Sequence, residues 1–273
     1  MLKYDWSELR LSEKFAVDTD NVHDLRLSPQ GDRLLIAGGV PGEAGWIDER
    51  TWPEQKSVRR FQEHHDLVYQ VAWAPDGGTF ASACADGTCS VFGAESGAVI
   101  SQFRGHSRPV LTLMYLDNAT VASAGVDHTI RLWDVNTSQT IRTLNNHLNT
   151  VNGLAVSPLS PETEKCTLAS ISEDRTVRLW LPRIGRLLRF ARVPSAPRCV
   201  AWSPDARELY VGCSDGFVRV FAADAMRMNN ELDGRVGRIH ELVVAPDNKT
   251  VIVGGELGIQ KLDVEPSAEN YPH

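Results

Sequence analysis

His106, Ser123 and Asp127 are the residue types of nucleophilic hydrolysis, in which an imidazole takes the proton of a hydroxyl and a carboxylate orients the imidazole. Trp133 follows them, and His147, Ser170, Asp174 and Trp180 bring the same four types in the same order. His64 and His65 have the chemistry of a metal pair, but adjacent side chains on an extended segment point to opposite sides. The five cysteines, Cys84, Cys89, Cys166, Cys199 and Cys213, are odd in number and never stand in a CxxC spacing, so neither a disulfide framework nor a zinc site is predicted. Cys84 and Cys89 flank one turn and read as free thiols of a reducing, cytoplasmic compartment. Asp48, Asp134 and Asp263 read as turn formers rather than metal carboxylates. No GxSxG, HExxH, Walker or dinucleotide-binding pattern accompanies them.

The elements that must hold these residues recur at a period of about forty. Apolar anchors at Phe15, Phe61, Phe103, Leu144, Phe190 and Leu232 lie 46, 42, 41, 46 and 42 residues apart. A turn pair stands 13 residues beyond each anchor: Ser28-Pro29, Ala74-Pro75, Leu116-Asp117, Ser157-Pro158, Ser203-Pro204 and Ala245-Pro246. That constant offset confines length variation to the loops after the turn. Alternating apolar residues such as Val151, Leu154 and Val156 predict a strand before the turn, and a second strand follows it. Asp86-Gly87 and Asp215-Gly216 predict a tight hairpin, with Asp127-His128 and Asp174-Arg175 in the same slot. A third strand and the next anchor strand make each repeat a four-stranded antiparallel unit, although residues 38–49 of the first repeat show no clear third strand.

Gly105-His106, Val110, Ser123, Asp127, Ile130, Trp133 and Asp134 resemble a near-complete WD40 repeat, and His147, Ser170, Asp174 and Trp180 mark a second. The other repeats are weaker versions: His64, Ser82, Asp86 and Phe92 in repeat two, Val193 at the His position and Phe221 at the Trp position in repeat five, Arg235, Glu256 and Leu262 in repeat six, Asp18 at the His position of repeat one. The resemblance covers residues 9–265 and implies an all-β, six-bladed WD40-type β-propeller, a single domain over residues 1–273. Its repeats fall at about 18–61, 62–103, 104–144, 145–190, 191–232 and 233–265, and the strand at 9–17 is expected to complete the last blade and close the ring. The resemblance also reassigns the four polar types. In that family they form a hydrogen-bond chain inside a blade, indole to Ser, Ser to His, His to Asp, so the residues are structural and no enzyme is expected.

Function then falls to the surface. The face carrying the loops before the first strand and between the second and third places Leu67, Tyr69, Pro109, Leu111 and Val126 in an apolar arc and Arg198, Arg235 and Arg238 in a basic one, with Asn152 and His240 beside them. This predicts a protein or peptide ligand with an apolar segment beside acidic residues. The alternative is that Leu67 and Leu111 turn inward. A chain of 273 residues, 42% hydrophobic, can bury a substantial core, and its net charge of −7 argues against gripping nucleic acid or an anionic membrane. Residues 1–14 lack the apolar run of a signal peptide, and no apolar run is long enough to span a bilayer. The expectation is a scaffold or adaptor subunit of a larger assembly, without metal or cofactor. The competing expectation is a propeller enzyme, or a small-molecule or metal binder using the central channel, where Asp24 and Glu241 are the carboxylates of the innermost strands.

Overall fold

Runs of β-branched and aromatic residues, broken every few positions by Asp-Gly, Ser-Pro or Ala-Pro, leave no stretch long enough for a helix of several turns. The computed structural model describes residues 2–4, 11–14, 21–159 and 167–264, the first two stretches as backbone only. The chain divides into two compact units, Met1–Val151 and Asn152–His273.

In the first unit β1 (Leu2–Tyr4) pairs with β2 (Leu11–Lys14). Repeat one contributes β3 (Val22–Leu27), β4 (Arg33–Val40), β5 (Ala44–Thr51) and β6 (Ser57–His64). Repeat two contributes β7 (Val68–Trp73), β8 (Thr79–Cys84), β9 (Cys89–Gly93) and β10 (Val99–Phe103). Repeat three contributes β11 (Val110–Asp117), β12 (Thr120–Gly125), β13 (Ile130–Asp134) and β14 (Thr140–Leu144). The second unit carries β15 (Val151–Val156), whose first residue ends the first unit, then β16 (Leu168–Ser172), β17 (Thr176–Leu181) and β18 (Arg186–Arg192), a 3-10 turn at Pro182–Ile184 lying before β18. It continues with β19 (Pro197–Trp202), β20 (Glu208–Cys213), β21 (Phe217–Ala222) and β22 (Arg227–Asp233), and ends with β23 (Ile239–Val244), β24 (Thr250–Gly255) and β25 (Gly258–Asp263). Each repeat is an antiparallel meander; five have four strands, and the last has three among the described residues.

Buried side chains from facing sheets form the core of each unit, for example Phe61, Phe80 and Phe92 in the first and Ile171, Leu209 and Phe221 in the second. Neighbouring sheets are also tied by side chains that reach the backbone one repeat earlier. Trp73 Nε1 donates to Arg26 O at 3.2 Å, and Trp202 Nε1 donates to Ala155 O at 3.1 Å. The two indoles occupy the same place in their repeats, just before the Ala-Pro and Ser-Pro turns, so one sequence position recurs as one inter-sheet bond. The hairpin slot behaves as its composition requires. Gly87 and Gly216 have φ of 84° and 88°, and His128 and Arg175 are forced to 66° and 61°.

Three expectations need correction, and the closing strand is described only in part. Of the strand expected at 9–17, the described part is β2, which pairs locally with β1 (Leu2↔Lys14), a partner reached across a short connection at small entropic cost. Phe15 and Asp18 lie outside the described residues, as do Cys166 and most of the loop after Leu159.

The constant offset of 13 residues fails in repeat four. Phe61, Phe103, Leu144 and Leu232 pair with Ile47, Cys89, Ile130 and Val218, but the residue opposite the equivalent Val177 is Ala191. Phe190 pairs with Arg178 instead and is 55% exposed. The connection into β19 is therefore one residue shorter, and since side chains alternate sides, one residue turns the aromatic outward. Val193 accordingly donates its N–H to Arg175 O just as Gly234 donates to Gly216 O, which puts Pro194 rather than Val193 in the His position.

Residues 38–49 do hold a regular third strand: β4 and β5 pair without interruption from Arg33↔Thr51 to Val40↔Ala44. Asp48 is not a turn former. It is buried in mid-β5 and bound through both oxygens by Arg60.

Candidate functional site

In the third sheet the tetrad is assembled by strand register. Ser123 on β12 stands beside β13, so Trp133 Nε1 donates to Ser123 Oγ at 3.1 Å while His106 Nε2 lies 2.8 Å from the same oxygen. The hydroxyl has one proton, and with the indole donating into its oxygen that proton points to Nε2. Nδ1 then carries the imidazole proton and donates to Asp127 Oδ2 at 2.9 Å. Thr129 Oγ1 donates to the other carboxylate oxygen at 2.8 Å. Burial pushes the Asp127 carboxyl up, but the His106 hydrogen bond and charge and the Thr129 bonds more than offset this and hold it well below the usual carboxylate range. Ser123 is 0% exposed, so no substrate carbonyl can reach its hydroxyl. The arrangement orders a hairpin instead.

The fourth sheet keeps the indole bond, Trp180 Nε1 to Ser170 Oγ at 2.9 Å, with His147 buried and Thr176 Oγ1 donating to Asp174 at 2.6 Å. The second sheet has Phe92 for the indole, and His64 lies 2.6 Å from Ser82 Oγ and 3.4 Å from Asp86 Oδ2. Thr88 repeats the bond to the turn acid at 2.7 Å. The three threonines had a signal in the sequence, an Asp-x-Thr at Asp86, Asp127 and Asp174. In the fifth sheet Asp215 binds the buried Arg219 through both oxygens, at 3.1 and 2.8 Å, and Arg219 Nε is 2.8 Å from Glu231.

One group among the described residues has the chemistry of a metal site: His64, Cys84 and Asp86 offer a nitrogen, a sulfur and an oxygen within 4.8 Å of one another. Burial pushes the Cys84 thiol well above its usual value, so it keeps its proton at neutral pH, and it donates that proton to Asp66 O at 3.1 Å. The carboxylates expected to serve a channel are engaged within their own units. Asp24 accepts from Val71 N at 3.0 Å and pairs with Arg26 at 3.2 Å, while Glu241 accepts from Leu242 N at 3.2 Å.

The surface residues separate on burial. Leu67, expected in solvent, is buried, because the long β4–β5 hairpin lies against it; Gly42 N at its tip donates to the neighbouring Asp66 carboxylate at 2.9 Å. Tyr69, Pro109, Leu111 and Val126 remain partly exposed in the first unit, and His23 meets Tyr69 edge to face with centroids 5.5 Å apart. In the second unit Asn152 is committed to Glu173 and to Pro197 O, both at 2.9 Å. Arg198 pairs with Glu173 at 2.6 Å and Arg238 lies 3.7 Å from Glu256, so two of the three guanidinium groups already face carboxylates. Arg235 and His240 are exposed.

The repeated meander, its Asp hairpin and its His–Ser–Trp chain define a WD40-type blade, and the fold is the all-β class of the six-bladed WD40-type β-propeller. The chain belongs to the WD40-repeat family. Residues 49–118 match the model of the anaphase-promoting complex subunit 4 WD40 domain, and residues 138–180 and 191–221 match that of the WD domain, G-beta repeat. The chain is 26% identical to the WD repeat-containing protein VIP3 of Arabidopsis thaliana over 70% of its own length and 64% of that protein's. It is 30% identical to the nuclear distribution protein PAC1 of Arthroderma benhamiae, and equally to that of Trichophyton verrucosum, over 81% of its own length and 49% of theirs. The chain thus spans between half and two thirds of the relatives it matches. Among the described residues no helix is long and apolar enough to cross a membrane.

Proposed function

We propose that the chain is a non-catalytic protein-interaction scaffold, an adaptor or regulatory subunit of a larger assembly. The observation that carries this reading is the partly exposed cluster of Tyr69, Pro109, Leu111 and Val126 in the first unit. These apolar side chains come from two consecutive repeats, Tyr69 and Leu111 near the starts of β7 and β11, Pro109 in the loop before β11, and Val126 on the hairpin whose Asp127 is bound by His106. A rigid scaffold presenting aromatic and aliphatic groups is what a protein ligand needs for its anchors. The tetrads support the same reading, since their hydroxyls are sealed from substrate. One matching family model carries the name of a complex subunit, which agrees with membership of an assembly. The net charge of −7 favours a protein partner over nucleic acid or an anionic membrane, and the buried free thiols Cys84, Cys89, Cys199 and Cys213 suit the cytoplasm.

The test is affinity purification at native expression with wild type and a Tyr69→Ala, Leu111→Ser variant. Partner chains that co-purify with wild type should be lost from the variant at unchanged melting temperature. Equal recovery removes this cluster as the binding surface.

A further inference from the structure

Residues 183–198 carry Arg183, Arg186, Arg189, Arg192 and Arg198 and no acid, in a chain whose net charge is −7. Three of these arginines, Arg186, Arg189 and Arg192, lie on β18, the outermost strand of its sheet, hydrogen bonded to β17 on one side only among the described residues. The other outer strands differ. On β6 the arginines Arg59 and Arg60 are paired with Glu49 and Asp48, and β22 balances Arg227 with Glu231 and Asp233. Among the described residues, Arg186, Arg189 and Arg192 form no ion pair; Arg189 Nε donates to the backbone of Asp224 at 2.9 Å.

The register sets where these groups stand. Arg192 and Phe190 lie opposite Thr176 and Arg178 on one side of the sheet, and Arg189 and Arg186 lie opposite Leu179 and Leu181 on the other. Guanidinium groups therefore flank both sides of the open edge. The one-residue shortening after β18 leaves Phe190 55% exposed, with the Arg178 guanidinium 6.0 Å from its ring centroid, and Ile184 is 62% exposed at the start of the strand. A pocket of about 650 Å³ opens beside the strand, lined by Arg186, Leu188, Arg189, Leu179 and Trp202 among others.

We propose that the outer edge of β18 is a second binding site, which takes an extended acidic peptide segment of a partner protein as an added strand. The edge supplies unpaired backbone donors and acceptors, the arginines on both sides bind the carboxylates of the segment, and Phe190 with the pocket takes its apolar residues. Arginine rather than lysine fits, because a planar fork engages a carboxylate through two bonds. Nucleic acid is disfavoured by the overall negative charge and by an edge whose recognition groups are a strand backbone and aliphatic side chains.

The test titrates the full chain, by fluorescence anisotropy, with a labelled twelve-residue peptide repeating Asp-Asp-Leu-Leu, which offers carboxylates and apolar side chains to both sides of the edge. The controls are the same peptide with Lys for Asp, one N-methylated at alternate residues, a labelled single-stranded oligonucleotide and phosphatidylserine vesicles. The expected result is saturable binding of the acidic peptide that weakens as salt rises, at least tenfold loss for the Lys peptide, and at least tenfold loss on N-methylation. Arg186→Glu/Arg192→Glu should weaken binding at least tenfold and Phe190→Ser several-fold, with near-UV circular dichroism unchanged. No saturable binding to wild type, equal binding by the folded charge-reversed variant, or tighter binding of the oligonucleotide or vesicles overturns the proposal. None of these variants touches Tyr69 or Leu111, so the edge and the proposed scaffold surface can fail independently.

Discussion

The third and first sheets of the first unit brace the same kind of meander with different chemistry. In the third, directional hydrogen bonds run from Trp133 through Ser123 and His106 to the Asp127 carboxylate. In the first, Ile36 and Arg50 stand where Ser123 and Trp133 stand in the third, as the pairings Leu34↔Arg50 and Val121↔Trp133 show. There Glu49 is 0% exposed between Arg33 at 3.1 Å and Arg59 at 2.9 Å, the second contact an ion pair outside hydrogen-bond alignment. The difference teaches that the same meander is braced by a hydrogen-bond chain in one sheet and by buried ion pairs in the other. A chain of directional bonds fixes geometry; a buried carboxylate held by two partly exposed arginines depends on charge balance and tolerates looser alignment.

The largest effect should come from unbalancing the first sheet. Arg33→Ala/Arg59→Ala leaves Glu49 buried without a cation and should cost about 3–5 kcal/mol in urea unfolding of the first unit. A loss below about 1 kcal/mol would mean that the ion cluster does not substitute for the tetrad. Next, His106→Ala strands Ser123 and Asp127 and should cost about 2–3 kcal/mol, read as a lower melting temperature. An unchanged melt would show the hydrogen-bond chain to be dispensable.

The third sheet should also respond to pH through Asp127. The folded Asp127 carboxyl is depressed relative to its ordinary value of about 4, so its contribution is complete above that value and is lost as pH falls through the depressed one. Asp127→Asn should therefore flatten the acid limb of the stability profile, and an acid limb identical to wild type would assign it to other carboxylates. The smallest effect concerns the turn. His128 sits at φ 66° where the second sheet has Gly87, and His128→Gly should raise stability by up to about 1 kcal/mol, since a glycine adopts that conformation without strain. A decrease would mean that the His128 side chain makes a contact outweighing its backbone strain.

Much of this architecture can be read from the residues. The Asp-Gly hairpins, the Ser-Pro and Ala-Pro turns and the alternating strands each depend on local conformational preference, and local preference is written in neighbouring residues. The tetrads were legible because four rare types recur in order. The first sheet was harder. Its hairpin lacks the Asp-Gly signal and turns through Pro41-Gly42-Glu43, and its bracing pairs Glu49 with arginines 16 and 10 residues away, a spacing with no pattern to repeat.

The sequence by itself determined the number of repeats, the strand order of all but the first and the residues that close the Asp hairpins, because those follow from short-range periodicity and turn chemistry. Only the tertiary structure decided which surface residues face solvent. Leu67 went under because another repeat's hairpin lies over it, and Phe190 came out because one residue is missing from the following connection. The physical reason is shared: exposure depends on which segments of the fold come to lie over one another, and a single residue of register inverts a strand's two sides.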